Sequence, residues 1–124
     1  MNDFLDGEKT VAGLKFRPFT LGSKAACEQM NLSMFLTGET GSESEAERQM
    51  VAFAWIHSAP LKTVLAALRN GTAEEAAQEF GFTITPQMSP DIIREINRIS
   101  RAAAEASVDV LPKPGGKDDS PGNL

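Results

Sequence analysis

The chain has very few of the side chains on which most catalytic and metal sites depend. Among its 124 residues there is one cysteine, one histidine, one tryptophan and no tyrosine. Cys27 alone cannot form an internal disulfide, which agrees with a reducing compartment. A metal cluster built from histidines is excluded, and any serine–histidine–aspartate arrangement would depend entirely on His57.

Long apolar runs and an excess of basic residues are also missing. No stretch approaches the roughly 18 to 20 apolar residues of a membrane-spanning helix, and the N-terminus lacks the basic and apolar regions of a secretory signal. A formal net charge of −5 disfavours binding to nucleic acid or to an anionic membrane. We therefore expect a cytoplasmic protein that has neither nucleic acid nor membrane as a partner.

The densest apolar stretch covers residues 46–68 and predicts two helices that meet at Pro60. Apolar side chains recur at three- and four-residue steps, so the first helix is apolar around more than half of its circumference. Such a helix suits packing on two sides. Ser44 and Glu47 have the spacing of a capping box at its start. Pro60 suits the first position of the second helix, with Ser58 or Ala59 as its cap, and Gly71 ends that helix.

Similar signals predict the other elements. The segment Leu14–Arg17 alternates apolar and basic residues before Pro18 and indicates a short extended or strand segment, and Thr20 caps a helix that runs to about Met30. Thr72 with Glu75 opens another helix, and Ser89 caps the longest one, which ends near Ser107. The predicted fold is mainly α: a small bundle of about five helices with a short extended N-terminal segment and a disordered C-terminal tail.

The ends of the chain differ from its middle in composition. Residues 1–12 are polar and mixed in charge, which indicates a flexible N-terminus, and residues 13–111 form the helical domain. Val108 and Val110 are predicted to lie in an extended piece after the last helix. Residues 112–124 have almost no apolar side chains to offset their ordering entropy, so we predict a disordered tail.

The search for chemistry is mostly negative, and we expect no enzyme and no cofactor. The loop from Gly38 to Gly41 lacks the Gly-Lys-Ser/Thr ending of a phosphate-binding loop. Cys27 is typical of a small core residue, and His57 lies inside an apolar helix, where a packing role is usual. A small hydrolase that uses Cys27 and His57 stays open as a third class of function.

Three arginines share one side of the longest helix, as a phosphate-binding face would require, but acids are interleaved with them. Arg94, Arg98 and Arg101 are spaced at three and four residues, and the acids are Asp91, Glu95 and Glu105. This interleaving favours a solvent-exposed face that neutralises itself.

The remaining feature is a surplus of large apolar side chains for such short helices. Two interpretations stay open: one ordinary core, or a core plus a surface that binds a partner's helix or a second copy of the chain. Under the second interpretation three segments supply the contacts. The candidate partner-binding residues are Met34, Phe35, Leu36, Val51, Trp55, Ile56, Ile92, Ile96 and Ile99.

The segment Leu14–Gly22, with the sequence LKFRPFTLG, resembles the opening of the tail assembly chaperones of long-tailed bacteriophages. In that family an extended apolar and basic piece leads into Arg-Pro-apolar-Thr and a first helix. The similarity continues through a Gly-rich loop, the aromatic-rich segment 53–56 and the break at 59–61. It covers residues 14 to about 105 and contains no catalytic signature.

The resemblance implies a non-catalytic cytoplasmic protein that binds the tape-measure protein before the tail tube polymerises around it. The family often has a frameshifted longer form, for which the soft stretch after Leu111 would be a sensible junction. The alternative is a structural head–tail or tail-completion adaptor, which would remain in the finished particle.

Overall fold

The computed structural model describes residues 9–110, with side chains up to residue 104. Over this range five α-helices follow a two-stranded hairpin, which confirms the predicted mainly helical fold and its short extended segment. The elements are β1 (Lys9–Val11), β2 (Leu14–Phe16), α1 (Leu21–Gln29), a 3₁₀ helix (Ser33–Phe35), α2 (Glu43–Ser58), α3 (Leu61–Asn70), α4 (Ala73–Gly81) and α5 (Ser89–Val110). The structure does not describe residues 1–8 of the predicted flexible N-terminus 1–12, and the predicted tail, residues 112–124, also lies outside the described residues.

Helix α2 is the centre of the bundle. It contacts α1, α3, α4, α5, strand β2 and the 3₁₀ helix. Five consecutive residues of α2, from Ala52 to Ile56, are buried, which only a helix covered on nearly all sides can show. The prediction that this stretch packs on more than one side is therefore confirmed. Phe53 lies at its middle, fully buried.

The N-terminal hairpin begins earlier than the sequence indicated. We predicted flexibility for residues 1–12, but β1 pairs antiparallel with β2, with Lys9 opposite Phe16 and Val11 opposite Leu14. Ala12 and Gly13 make the turn with φ of 53° and 80°, both left-handed, as a tight two-residue hairpin requires. The fully buried Phe16 anchors this hairpin against the bundle.

The helix starts follow the predicted capping residues only in part. Thr20 caps α1 as predicted, since its side chain accepts from Ser23 N while the Ser23 hydroxyl accepts from Thr20 N. At α2 the cap is Ser42, which accepts from Glu45 N, so the predicted Ser44 cap is wrong by two residues. Pro60 is itself the cap residue of α3 and lies just outside the helix.

The remaining helix ends show two further differences. Thr72 precedes α4 but its side chain makes no capping hydrogen bond, so the predicted capping box does not form. Gly71 ends α3 in the left-handed conformation, with φ 74°, as predicted. Helix α5 includes Ser89 and continues to Val110, so the predicted extended piece at Val108 and Val110 is helical instead.

Candidate functional site

Five of the nine candidate partner-binding residues are part of the monomer's own core. Trp55, Ile56, Ile92, Ile96 and Ile99 are between 1% and 4% exposed. Trp55 and Ile56 face inward because α2 is covered on nearly all sides. The three isoleucines face inward because they form the buried stripe of α5. In this conformation they are not offered to a partner, so the interpretation of these five as one open contact surface does not fit the structure.

The segment Met34–Leu36 lies at one corner of the bundle and is only partly covered. The Phe35 ring stacks on Phe53, with centroids 4.0 Å apart, while Leu36 stays 37% exposed. Gln49, a buried polar residue of α2, accepts a hydrogen bond from Met34 N at 2.8 Å and so fixes this corner. Phe35 and Leu36 also border a shallow pocket against the 100–104 stretch of α5.

A first apolar groove, which we call the α2–α5 groove, brings three of the candidate residues together. Val51 on α2 and Ile92 and Ile96 on α5 line it, and Ile93 leaves 36% of its surface exposed there. Its volume is about 310 Å³. Glu47 also lines it and gives it an acidic edge.

Among the described residues, the most exposed aromatic side chain lies next to this groove. Phe82 follows the end of α4, is 92% exposed, and borders a pocket that shares Glu47, Val51 and Gly81 with the α2–α5 groove. Gly81 allows α4 to approach α2 closely, because a Cβ atom there would lie 3.2 Å from Val51 Cγ1. The alternating sequence Phe82-Thr83-Ile84 predicts either a short extended segment or an apolar tether. Hydrogen bonds from Phe82, Thr83 and Ile84 back to residues 79–81 make it a series of turns.

A second apolar groove, the α1–α3 groove, was not among the candidates. One wall consists of the small residues Gly22, Ser23 and Ala26 of α1, and the other carries leucines of α3. Leu61 and Leu65 are 55% and 47% exposed, and the groove volume is about 240 Å³. The sequence signal for this groove is the apolar stripe of α3 formed by Leu61, Val64, Leu65 and Leu68. Val64 and Ala67 are the residues of α3 that fill the core.

Arg17 closes one end of the α1–α3 groove and fixes the path of the chain there. Its guanidinium donates to the carbonyl oxygens of Ala59 and Ile56, both at 2.6 Å. Its backbone N–H donates to His57 O at 2.8 Å. A cation at the C-terminal end of a helix satisfies carbonyls that have no partner within the helix. The Arg-Pro step of the LKFRPFTLG segment therefore attaches β2 to the end of α2.

His57 is a buried, neutral side chain between two phenylalanine rings. Its Nδ1 lies 2.8 Å from Phe53 O, and since a carbonyl only accepts, Nδ1 carries the proton. Nε2 is buried without a hydrogen-bond partner among the described protein groups. Burial, with a smaller contribution from the charge of Arg17, lowers the pKa of His57 to about 4, although the hydrogen bond to Phe53 O acts in the opposite direction.

Cys27 is fully buried in the same core. Burial raises the pKa of its thiol to about 12, with Glu28 adding to the effect, so the reactive thiolate is scarce at neutral pH. The hydrolase alternative needs an accessible nucleophile and base. Neither Cys27 nor His57 reaches the surface of the described part of the chain.

Arg94 and Arg98 of α5 are paired with acids on their own helix. Arg94 donates to Asp91 at 2.9 Å, and Arg98 forms a two-point ion pair with Glu95. Glu95 is only 4% exposed, so we were wrong to place it on a solvent-exposed face; Arg98 neutralises it there.

Residues 9–104, whose side chains the structure describes, contain no group of three or more histidine, cysteine, aspartate or glutamate side chains arranged to hold a metal ion. No helix within residues 9–110 combines the length and apolar content needed to cross a bilayer.

Comparison of the chain with protein families, with curated proteins and with solved structures finds no match. The candidate site is thus defined by geometry and consists of two apolar grooves: the α2–α5 groove, with Glu47 in its lining, and the α1–α3 groove, with Arg17 in its lining.

Proposed function

We propose that this chain is a tail assembly chaperone of a phage or prophage, acting in the cytoplasm of the bacterial host. It binds the tape-measure protein without catalysis and keeps it soluble until tail tube subunits cover it. The observation that carries the proposal is apolar surface left open on a compact helical fold: Phe82, Leu61 and Leu65 are 92%, 55% and 47% exposed. Covering such side chains lowers the free energy of both surfaces.

The segment that resembles the family supports the same proposal. In LKFRPFTLG, Phe16 is buried, Arg17 binds the end of α2 and Thr20 caps α1. Within the segment, Arg17, Pro18, Thr20 and Gly22 line the α1–α3 groove. A pattern that builds an apolar groove is what a helix-binding family would share.

The size of the grooves fits a contact that must be reversible. Volumes of about 240 and 310 Å³ accommodate a few side chains of a client helix. Small contact areas give weak individual binding. Many copies bound along a long client would therefore shield it, and tube subunits could still displace each copy. Several weak contacts on one client also add avidity without any single tight site.

Co-expression tests the proposal directly. The partner is the long helical protein encoded next to this chain, produced alone or together with it, and the measurement is the fraction of that protein in the soluble lysate. The proposal expects the client to be mostly insoluble alone and soluble in a complex that copurifies with the chain. A client that is equally soluble alone, with no copurification, would refute it.

The adaptor alternative makes the opposite prediction for finished particles. A structural adaptor remains in the virion, whereas an assembly chaperone leaves before completion. Mass spectrometry of purified particles should therefore contain the tape-measure protein and lack peptides of this chain. Peptides of this chain at stoichiometric levels would favour the adaptor.

A further inference from the structure

The α1–α3 groove differs from the rest of the surface in its charge. Although the chain carries a net charge of −5, the ten residues of α3 include Lys62 and Arg69 and no acid. These two are seven residues apart, so they lie on one side of the helix, next to the exposed Leu61 and Leu65. Both cations are exposed, and neither has an ion pair among the described residues.

The opposite wall adds no negative charge to the groove. Its lining residues on α1 are Gly22, Ser23 and Ala26, and the acid of α1, Glu28, is bound by Lys24 at 2.8 Å. The groove is therefore an apolar channel between a smooth wall and a leucine wall, with cations along the outer side of the leucines. By contrast, the α2–α5 groove has Glu47 in its lining.

The exposed leucines set the length of the apolar contact that the groove can make. Arg17 and Pro18 line one end, and at the other end Gln29 Nε2 donates to Leu68 O at 2.8 Å, linking α1 to α3. The exposed leucines are four residues apart, about 6 Å along α3, which is one turn. A helix lying in the groove would therefore meet them with apolar residues on one face, at three- and four-residue steps.

We infer that the α1–α3 groove is the site that binds the client, and that its ligand is an amphipathic helix whose apolar stripe is flanked by carboxylates. The stripe covers Leu61 and Leu65, and the carboxylates face Lys62 and Arg69. Charge complementarity of this kind selects the partner and its orientation, while the leucine contacts supply most of the affinity. The inference rests on the proposed function only for the source of the helix.

Two synthetic helices test the inference without the tape-measure protein. Both have about 20 residues, enough to form an isolated helix, and the same leucine stripe; glutamates flank the stripe in one and lysines in the other. Fluorescence anisotropy at low salt measures their binding to the intact chain. We expect the glutamate helix to bind at least tenfold more tightly than the lysine helix, and the difference to shrink at about 1 M salt.

Surface variants assign the binding to the groove. Leu61→Gln with Leu65→Gln keeps good helix formers on an exposed face and should weaken the glutamate helix at least tenfold, about the effect of uncovering one leucine. Phe82→Gln with Ile93→Gln, in the other groove, is the matched control and should change affinity less than twofold. Circular dichroism verifies that all variants keep the wild-type helix content.

A charge reversal supplies the second readout. Lys62→Glu with Arg69→Glu should reverse the preference, so that the lysine helix binds more tightly. Arg94→Glu with Arg101→Glu makes the same change in net charge on α5 and should leave the preference for glutamate intact. Equal effects of the two charge reversals would overturn the inference, because the attraction would then be unspecific.

Other outcomes also decide the matter. Loss of binding in the Phe82 and Ile93 variant, with the leucine variant unaffected, would assign the helix to the α2–α5 groove and refute the inference. A leucine variant that changes only the sedimentation of the chain would make the groove a contact between copies. If the peptides fail but the tape-measure protein is still solubilised, the groove assignment falls and the chaperone proposal stands.

Discussion

The clearest energetic prediction concerns the single histidine. His57 is 1% exposed, its ring lies 4.3 Å from that of Phe53 and 5.8 Å from that of Phe19, measured between centroids, and its Nε2 has no partner among the described groups. A proton on Nε2 would place a charge in this apolar site and close to the cationic Arg17. The folded chain therefore resists protonation that the unfolded chain accepts.

The magnitude follows from the two pKa values. The pKa of His57 is about 4 in the folded chain against an ordinary value of 6.5. Because the folded value is the lower one, stability is at its full value above pH 6.5 and falls as the pH drops toward 4. Proton linkage gives a loss of about 2 kcal/mol between pH 7.5 and pH 5 from this residue alone.

Urea unfolding at pH 7.5, 6 and 5, followed by circular dichroism, measures this loss. His57→Phe keeps a ring in the same site but cannot titrate, so it is the control that removes the contribution of carboxylates. We expect the wild type to lose about 2 kcal/mol more than the variant over this range. Identical pH dependence in the two proteins would contradict the assignment of a buried neutral histidine.

Three further predictions concern other named contacts. Arg17→Met removes two hydrogen bonds from a charged group to the end of α2 and should lower the free energy of unfolding by about 2–3 kcal/mol in urea titrations. Arg17→Lys should recover part of this loss. An unchanged free energy of unfolding in Arg17→Met would refute the anchoring role. Gly71→Ala should lower the free energy of unfolding by about 1 kcal/mol because φ is 74° there. Gly22→Ala should be neutral or stabilising, because it lies inside α1 and its new Cβ would meet only Thr20 Oγ1, at 3.6 Å. Equal effects of the two variants would contradict the backbone argument. Cys27 should react with a thiol reagent only in denaturant, and rapid labelling of the native chain at pH 8 would contradict its burial.

Elements with strong local signals could be predicted from the sequence. Thr20 as a cap, Gly71 as a stop and the break at Pro60 are set by the backbone chemistry of each residue, and the structure has them within one residue. Helical periodicity also predicts that Ile92, Ile96 and Ile99 share one apolar face of α5. In each case the information lies within a few neighbouring residues.

Features that depend on tertiary partners could not be predicted in the same way. Strand β1 has only one large apolar residue, Val11, and it is recognisable only by its pairing with β2. The choice of Ser42 over Ser44 as cap depends on where the preceding loop meets α2. Leu61 and Leu65 share a stripe with Leu68, and the sequence does not reveal that α1 stops short of covering them.

Dependence on tertiary partners also explains why five of the nine candidate contact residues proved to be core. Apolar periodicity identifies the side of a helix that is covered, but it does not say whether the cover is another helix of the chain or a partner. Trp55 and Ile56 are covered because α2 is central, and Phe82 is open because α4 ends just before it. Exposure of individual side chains is a property of the whole bundle.

The central claim is that this chain shields apolar helices of the tape-measure protein by direct contact. Light scattering of the tape-measure protein diluted out of urea, with and without the purified chain, tests this most directly. The account predicts that scattering is suppressed in proportion to the amount of chain added, and that Leu61→Gln with Leu65→Gln abolishes the suppression. Scattering that rises equally with and without the wild-type chain would contradict it.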